Sequence, residues 1–235
     1  MIQCITKFLE EVGTVLPYQI FRGQSDSTWP LHPSIARQRD LFDQGQWTFT
    51  SWRQTEDTLI EQFQRLGAPH IDKAPENQLE WLVLMQHYGL PTVLLDWSTN
   101  PLKALFFAVE DLRYEDTDAA VYSYLPKSWY ENTDHGISVS SPTCFFPKHQ
   151  NQRLINQEGC FLIFPLPEGF EAFLAMDSFA STRSDIDKMP IRIIIPAKLK
   201  NPIRKQLDML GITHQTMYPG LDGISKTIRR RAGLS

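Results

Sequence analysis

A short apolar run at residues 92–95 constrains the fold of this chain most, because it is partly β-branched and lies between two helical segments. Such a run is typical of a buried strand. The helix before it, around residues 79–85, is apolar on nearly every side, and a glycine and a proline end it. The helix after it begins at Asn100-Pro101, a cap residue followed by proline at the first helical position. The sequence therefore predicts a central strand with helices packed against it.

Other strands and helices follow without regular alternation. Strands are predicted at residues 19–22, 120–125, 160–164 and 191–195, and further helices behind the Ser51-x-x-Gln54 capping box, from Asn201-Pro202 and after Asp222. This order favours an α+β fold over a doubly wound sheet. We expect one compact domain over residues 1–235, with a mixed central sheet flanked by helices and with residues 1–18 packing on it.

Composition and motifs exclude several function classes. The 235 residues carry a net charge of −4, which argues against a generally basic nucleic-acid binder but leaves room for a local basic site. No dinucleotide G-x-G-x-x-G, P-loop or G-x-S-x-G motif occurs, and the six histidines lack the spacing of metal ligands. Three widely separated cysteines predict reduced thiols. Without an apolar leader or an 18-residue apolar segment, we expect a cytoplasmic protein that does not contact membranes.

The segment Phe21-Arg22-Gly23 carries the residue types that bind anions. A guanidinium at a strand end can pair with a phosphate or carboxylate through two hydrogen bonds, and a glycine beside it permits close approach of a ligand. The alternative is a structural ion pair of Arg22 with Asp26 or Asp96.

Two further segments are candidates for the same reason. His87 and Tyr88 end the apolar helix, where a histidine can also serve simply as a cap. Asp96 follows apolar residues and needs a partner, and Arg22 could be that partner. Ser98 and Thr99 after it either cap the next helix or bind a ligand at its start.

The remaining segments are less specific. Gln157 and Glu158 precede an apolar strand beside Gly159, where they could line a cleft or form an ordinary turn. The segment from Tyr218 to Gly223 is a further candidate, but its residues favour a turn followed by a helix cap.

Taken together, these segments resemble the FRG domain family, named after its Phe-Arg-Gly motif. The resemblance rests on FRGQSDSTWPLHPSIAR (21–37), LMQHYGLPTVLLDWSTNPLKALFFAVED (84–111), PKHQNQRLINQEGCFLIF (147–164), IRIIIPAKLK (191–200) and LGITHQTMYPGLDGISKTI (210–228). The block at 84–111 is the most specific. Val93 departs from the pattern, since the family usually has arginine there; an arginine that contacted a ligand would be missing here.

The order of the motifs is also similar, more remotely, to that of ADP-ribosyltransferases. That resemblance implies NAD as the substrate, with a protein, a nucleic acid or water as the acceptor. The FRG resemblance implies a bacterial or phage context, in which the protein would be a defence effector or a toxin. The transferase resemblance implies the catalytic residues Arg22, His87 and Glu158, and a nucleotide site formed by Arg22, Gly23, Gln24, Tyr88, Asp96, Trp97, Ser98, Thr99 and Gln157.

Within this set, the resemblance assigns definite roles. Arg22 would clamp the pyrophosphate, Ser98 or Thr99 would hold the nicotinamide ribose, and Tyr88 or Trp97 would stack on nicotinamide. Glu158 would stabilise the cation that develops on the ribose, or orient the nucleophile.

Two other functions remain open at this point. A non-catalytic module could use Arg22, His87 and Asp96 to bind a nucleotide or a partner. A hydrolytic nuclease using His87 and Asp96 ranks last, because the sequence lacks the paired carboxylates of two-metal sites.

Overall fold

The computed structural model of the chain describes residues 4–38, 45, 47–127, 129–130, 139–148, 151–176 and 190–233. A six-stranded sheet forms its centre, in the spatial order β4-β5-β2-β1-β3-β6. The strands are β1 (Ile20–Gln24), β2 (Leu94–Ser98), β3 (Ala119–Tyr124), β4 (Thr143–Phe145), β5 (Gly159–Ile163) and β6 (Ile191–Ile195). The α-helices are α1 (Ile5–Val12), α2 (Trp52–Gly67), α3 (Gln78–His87), α4 (Pro101–Val109), α5 (Gln152–Gln157), α6 (Lys200–Met209), α7 (His214–Met217) and α8 (Leu221–Arg231).

The α+β class is confirmed, with one difference in strand direction. Where the sequence led us to expect a mixed sheet, every pairing between the six strands is antiparallel. A long helical connection, such as the one between β1 and β2, usually joins parallel strands. Here the described part of that connection includes the α-helices α2 and α3, and the chain re-enters the sheet in the opposite direction.

Two apolar layers enclose the sheet. One face packs against a cluster that includes Leu79 and Leu82 of α3. The other face packs against α4 and α6, and Ile5 and Phe8 of α1 are buried in this second cluster. The backbone N–H of Ile5 also donates to Oε1 of Gln206 on α6 at 2.9 Å. The N-terminal helix thus lies against α6.

Local signals in the sequence explain most helix starts. Ser51 caps α2 by accepting from the backbone N–H of Gln54, and Asn100 caps α4 by accepting from that of Leu102. The third helix, α3, begins at Gln78 with Asn77 as its cap. None of the helices in the described part of the chain is both long and apolar enough to cross a membrane.

One buried carboxyl gives the fold a pH dependence. Glu56 on α2 is 3% exposed, and its Oε1 has no hydrogen-bond partner among the described residues. Burial raises the pKa of Glu56 from 4.5 to about 7, although the charge of Arg53 opposes the shift. The folded chain therefore binds this proton more tightly than the unfolded chain does. The resulting stabilisation is complete below pH 4.5 and is lost as the pH rises through 7.

We accordingly expect Glu56→Gln to raise the free energy of unfolding at pH 8 by about 1–3 kcal/mol and to change it little near pH 4. Urea unfolding at the two pH values measures this difference. The exposed Glu61 on the same helix, changed to Gln, is the matched control. An equal effect of Glu56→Gln at both pH values would show that the buried carboxylate carries no such cost.

Candidate functional site

A cleft opens where the two central strands of the sheet part. β1 and β2 share one registered pair, Phe21 with Ser98, whereas the β2–β5 and β1–β3 ladders continue over the length of the strands. Beyond that pair, residues of both strands line a cleft of about 320 Å³. The cleft therefore lies in the middle of the sheet, with its walls formed by the strand that carries Arg22 and the strand that carries Asp96.

Arg22 bridges the gap between these two strands. Its Nη1 donates to the backbone oxygen of Asp96 at 2.6 Å and lies 4.0 Å from Oδ2 of the same residue. The side chain is 15% exposed, and its Nε has no hydrogen-bond partner in the described ranges. Burial lowers the pKa of Arg22 to about 10, with the Asp96 charge opposing the shift, so the guanidinium stays charged at neutral pH. The cleft thus contains a largely desolvated cation with an unused donor.

Two more arginines reach the same cleft. Arg37 is the last residue of a short 3-10 helix, Ser34–Arg37, and its charge also lowers the pKa of Arg22. Arg153 comes from α5, and its guanidinium carbon lies 4.9 Å from the centre of the Tyr218 ring. Among the described lining residues Asp96 is the single carboxylate. The cleft therefore carries an excess of positive charge in a chain whose net charge is −4.

Aromatic side chains form other parts of the wall. Trp29, Phe107 and Tyr218 all line the cleft. Tyr218 is held in place because its hydroxyl donates to Oε1 of Glu110 at 2.7 Å. Burial is the main cause that raises the pKa of Tyr218, and the negative charge of Glu110 adds to it. These rings offer flat apolar surface beside the arginines.

His87 lies at the end of α3 and lines the cleft. Partial burial, and then the charge of Arg153, lower the pKa of His87. At neutral pH the imidazole is therefore mainly uncharged, and a neutral imidazole can accept a proton.

Gly23 and Gln24 also line the cleft, for different reasons. A Cβ at position 23 would lie 1.9 Å from the backbone oxygen of Ala104, so the space that glycine leaves faces α4. Gly23 thus lets helix and strand pack closely, where the sequence had indicated room for a ligand. Gln24 is 3% exposed, and its Oε1 lacks a partner among the described residues. This amide oxygen can accept a hydrogen bond from a ligand.

The polar residues at the end of β2 hold α5 in place. The hydroxyl of Ser98 donates to the backbone oxygen of Gln157 at 2.7 Å, and the N–H of Thr99 donates to that of Glu158 at 3.0 Å. Gln157 in turn donates to the backbone oxygen of Met217 at 3.1 Å. Trp97 is 3% exposed and belongs to the hydrophobic core, although it reaches the cleft wall. Ser98, Gln157 and Trp97 line the cleft; Thr99 does not.

Two other predicted residues lie off the cleft. Oε1 of Glu158 pairs with Nζ of Lys103 at 2.8 Å and accepts from Nδ2 of Asn100 at 3.3 Å. Partial burial alone would raise the pKa of Glu158. The hydrogen bond and positive charge of Lys103, together with the hydrogen bond from Asn100, hold this pKa below its usual value. Tyr88 is 68% exposed and lines a separate cavity on α3. The structure thus brings together Arg22, Gly23, Gln24, His87, Asp96, Trp97, Ser98 and Gln157, and leaves out Tyr88, Thr99 and Glu158.

The cleft also contains residues to which the sequence had assigned no site role, namely Arg37, Arg153 and Tyr218, although Tyr218 begins one of the candidate segments. All three lie in segments that carry the family resemblance, which was the available signal.

Val93 is 2% exposed, belongs to the core and does not line the cleft, so valine at this position leaves the described lining unchanged. Of the two acids proposed as partners of Arg22, Asp26 accepts a hydrogen bond from the backbone N–H of Thr28. Arg22 donates instead to Asp96. Within the described ranges, no group of three or more His, Cys, Asp and Glu side chains could hold a metal ion.

Comparison with known proteins identifies part of the chain. Residues 18–117 match the family model of the FRG domain, so the chain contains an FRG domain. The matched segment supplies β1 and β2, together with Arg22, Arg37, His87 and Asp96 of the cleft. The other four strands lie beyond it. No curated protein and no solved structure matches the chain.

Proposed function

We propose that the cleft binds NAD through its phosphates and that this FRG-domain protein is an NAD-using enzyme similar to ADP-ribosyltransferases. The observation that carries the proposal is the convergence of Arg22, Arg37 and Arg153 on one cleft whose described lining holds a single carboxylate. Guanidinium groups suit phosphate because two parallel N–H groups match two phosphate oxygens. The unpartnered Nε of Arg22 supplies one such donor.

The rest of the lining favours a nucleotide over inorganic phosphate. Trp29 and Phe107 provide surfaces on which a planar base can stack, whereas Arg153 and Lys226 already lie over the Tyr218 ring. The buried Oε1 of Gln24 offers an acceptor for an amide or hydroxyl donor. A small anion would use only the arginines and leave these groups unsatisfied.

The proposed chemistry breaks the bond between C1′ of the ribose and the nicotinamide nitrogen. The electron pair of that bond leaves with nicotinamide, and positive charge builds on the ribose. A carboxylate opposite this charge lowers the barrier, and Asp96 is the carboxylate that the described cleft offers. A new bond then forms between C1′ and an oxygen or nitrogen of the acceptor. His87, which is mainly uncharged at neutral pH, takes the proton that the acceptor loses.

Asp96 and Glu158 are the two candidates for the carboxylate that stabilises the positive charge on the ribose. Glu158 would have to leave Lys103 to face the cleft, whereas Asp96 lies there already. We expect Asp96→Asn to slow nicotinamide release by about 10²–10³-fold. Glu158→Gln should slow it less, through loss of the ion pair with Lys103. Nicotinamide release at saturating NAD measures both variants, and a greater loss in Glu158→Gln would assign the role to Glu158.

A second function, a non-catalytic nucleotide-binding module, is favoured by one observation. Three residues that the transferase resemblance selects, Tyr88, Thr99 and Glu158, do not line the cleft. Such a module would bind NAD and leave it intact.

Labelled NAD, incubated with the protein and a cell lysate, tests both functions. We expect free nicotinamide together with label on a protein or nucleic acid, and neither product with Arg22→Ala. Nicotinamide without label on a macromolecule would indicate an NAD hydrolase. Bound but intact NAD would indicate the binding module. A role in defence or as a toxin would follow from the identity of the labelled acceptor.

A further inference from the structure

A second cavity, of about 380 Å³, adjoins the cleft. The two share Val83 of α3 and Asn151 at the start of α5 as lining residues. Tyr88 lines only the second cavity, together with the apolar side chains of Ile71, Pro75, Leu79, Leu84, Phe145 and Pro147. The second cavity is therefore an apolar neighbour of the arginine-lined cleft.

The charges of the two cavities differ. The lining of the second cavity contains two carboxylates, Asp72 and Glu80, and two lysines, Lys73 and Lys148, so these four charges sum to zero. The described lining of the cleft, by contrast, has an excess of arginine. Phosphates therefore favour the cleft, and the flat faces of an aromatic ring favour the apolar cavity.

The sizes of the cavities agree with a ligand in two parts. Sites for small molecules occupy about 300–1,000 Å³. Each cavity alone lies near the lower limit of that range, and the two together lie well within it. A dinucleotide has one ring system at each end of a pyrophosphate, so it can place its phosphates in one cavity and a ring in the other.

We propose that the second cavity binds one ring of a dinucleotide whose phosphates lie in the cleft; the proposal rests on the proposed function of the cleft. Tyr88 contributes the stacking surface. Its ring is 68% exposed at the end of α3 and lies 6.2 Å from the ring of Phe63, which supports it from α2. Tyr88, which the cleft leaves out, thereby joins the same ligand site from the neighbouring cavity.

Equilibrium titration of the full chain with NAD, AMP and nicotinamide mononucleotide tests the proposal. NAD should bind at least about tenfold more tightly than either mononucleotide. Tyr88→Ala should weaken NAD binding by about fivefold or more, because a base stacked on an aromatic ring contributes about 1–3 kcal/mol. The same variant should weaken only one of the two mononucleotides, the one whose ring occupies the cavity. Tyr88→Phe should retain the affinity for NAD.

Tyr18→Ala is the matched control, since Tyr18 is equally exposed, at 67%, and lines neither cavity. Unchanged NAD affinity in Tyr88→Ala would overturn the proposal, as would equal affinities of the wild-type protein for NAD and a mononucleotide. A parallel loss of affinity for both mononucleotides would also overturn it, because it would indicate a disturbed cleft. If NAD does not bind the wild-type protein, the proposed function of the cleft fails first.

Discussion

NAD should bind at least about 30-fold more weakly to Arg22→Ala than to the unaltered protein. The Arg22 side chain is 15% exposed, and burial has already removed most of its hydration. Truncating one partner of a buried, hydrogen-bonded charge pair costs about 2–5 kcal/mol, which corresponds to a loss of roughly 30-fold or more. The fold should survive, because the substitution removes chiefly one hydrogen bond, to the backbone oxygen of Asp96. Calorimetric titration with NAD gives the affinity, and a thermal melt confirms folding.

Arg192→Ala is the control for this substitution. Arg192 also donates one hydrogen bond to a backbone oxygen, that of Ser27 at 3.3 Å, but it does not line the cleft. It should bind NAD as the unaltered protein does. Arg22→Lys should fall between the two, since lysine keeps the charge but loses the planar pair of donors. A folded Arg22→Ala that retained full affinity would remove Arg22 from the site.

Gly23→Ala should be the most destabilising small substitution in the motif. The added Cβ would lie 1.9 Å from the backbone oxygen of Ala104 and 2.6 Å from the backbone nitrogen of Ala108. Both atoms belong to the backbone of α4, so the whole helix must shift away from β1. Overpacking of this kind costs about 3 kcal/mol or more. In a chain of this length, we expect the melting temperature to fall by roughly 6–12 °C.

Gly67→Ala provides the comparison. Gly67 ends α2 with an ordinary helical φ of −79°, and its nearest contact would be the flexible tip of Ile71 at 3.3 Å. That variant should melt at or slightly above the temperature of the unaltered protein. If Gly23→Ala melted within a degree or two of the unaltered protein, the close packing of α4 on β1 would not be the reason for glycine at this position.

The parts of the fold that follow from local chemistry could be predicted from the sequence. Asn100-Pro101 starts α4 because the Asn100 side chain accepts from the first free N–H groups. The strand predicted at residues 191–195 has those bounds in the structure, since a run of branched apolar residues has few alternatives. By contrast, the sequence favours a turn where α5 lies, because its six residues carry no apolar period strong enough to identify a helix.

The site could be predicted only in part, because its geometry depends on contacts between distant segments. The parting of β1 from β2 after Phe21 and Ser98 creates the cleft, and no residue pattern marks that point. Arg153 reaches the cleft because the Ser98 hydroxyl and the Thr99 N–H bind the C-terminal end of α5. Likewise, only the fold shows that the missing side chain of Gly23 makes room for the backbone of α4 and not for a ligand. Residue type left Asp26 and Asp96 open as partners of Arg22. Only the fold shows that Arg22 contacts Asp96 and that Glu158 pairs with Lys103.

Titration of the unaltered chain with NAD, beside nicotinamide riboside and adenosine, tests the central claim most directly. The two nucleosides carry the rings of NAD without its phosphates. If the arginines of the cleft recognise phosphate, NAD should bind at least about tenfold more tightly than either nucleoside, and its affinity should fall as the salt concentration rises. Equal affinities for NAD and the nucleosides, or no binding of NAD at low salt, would contradict the account.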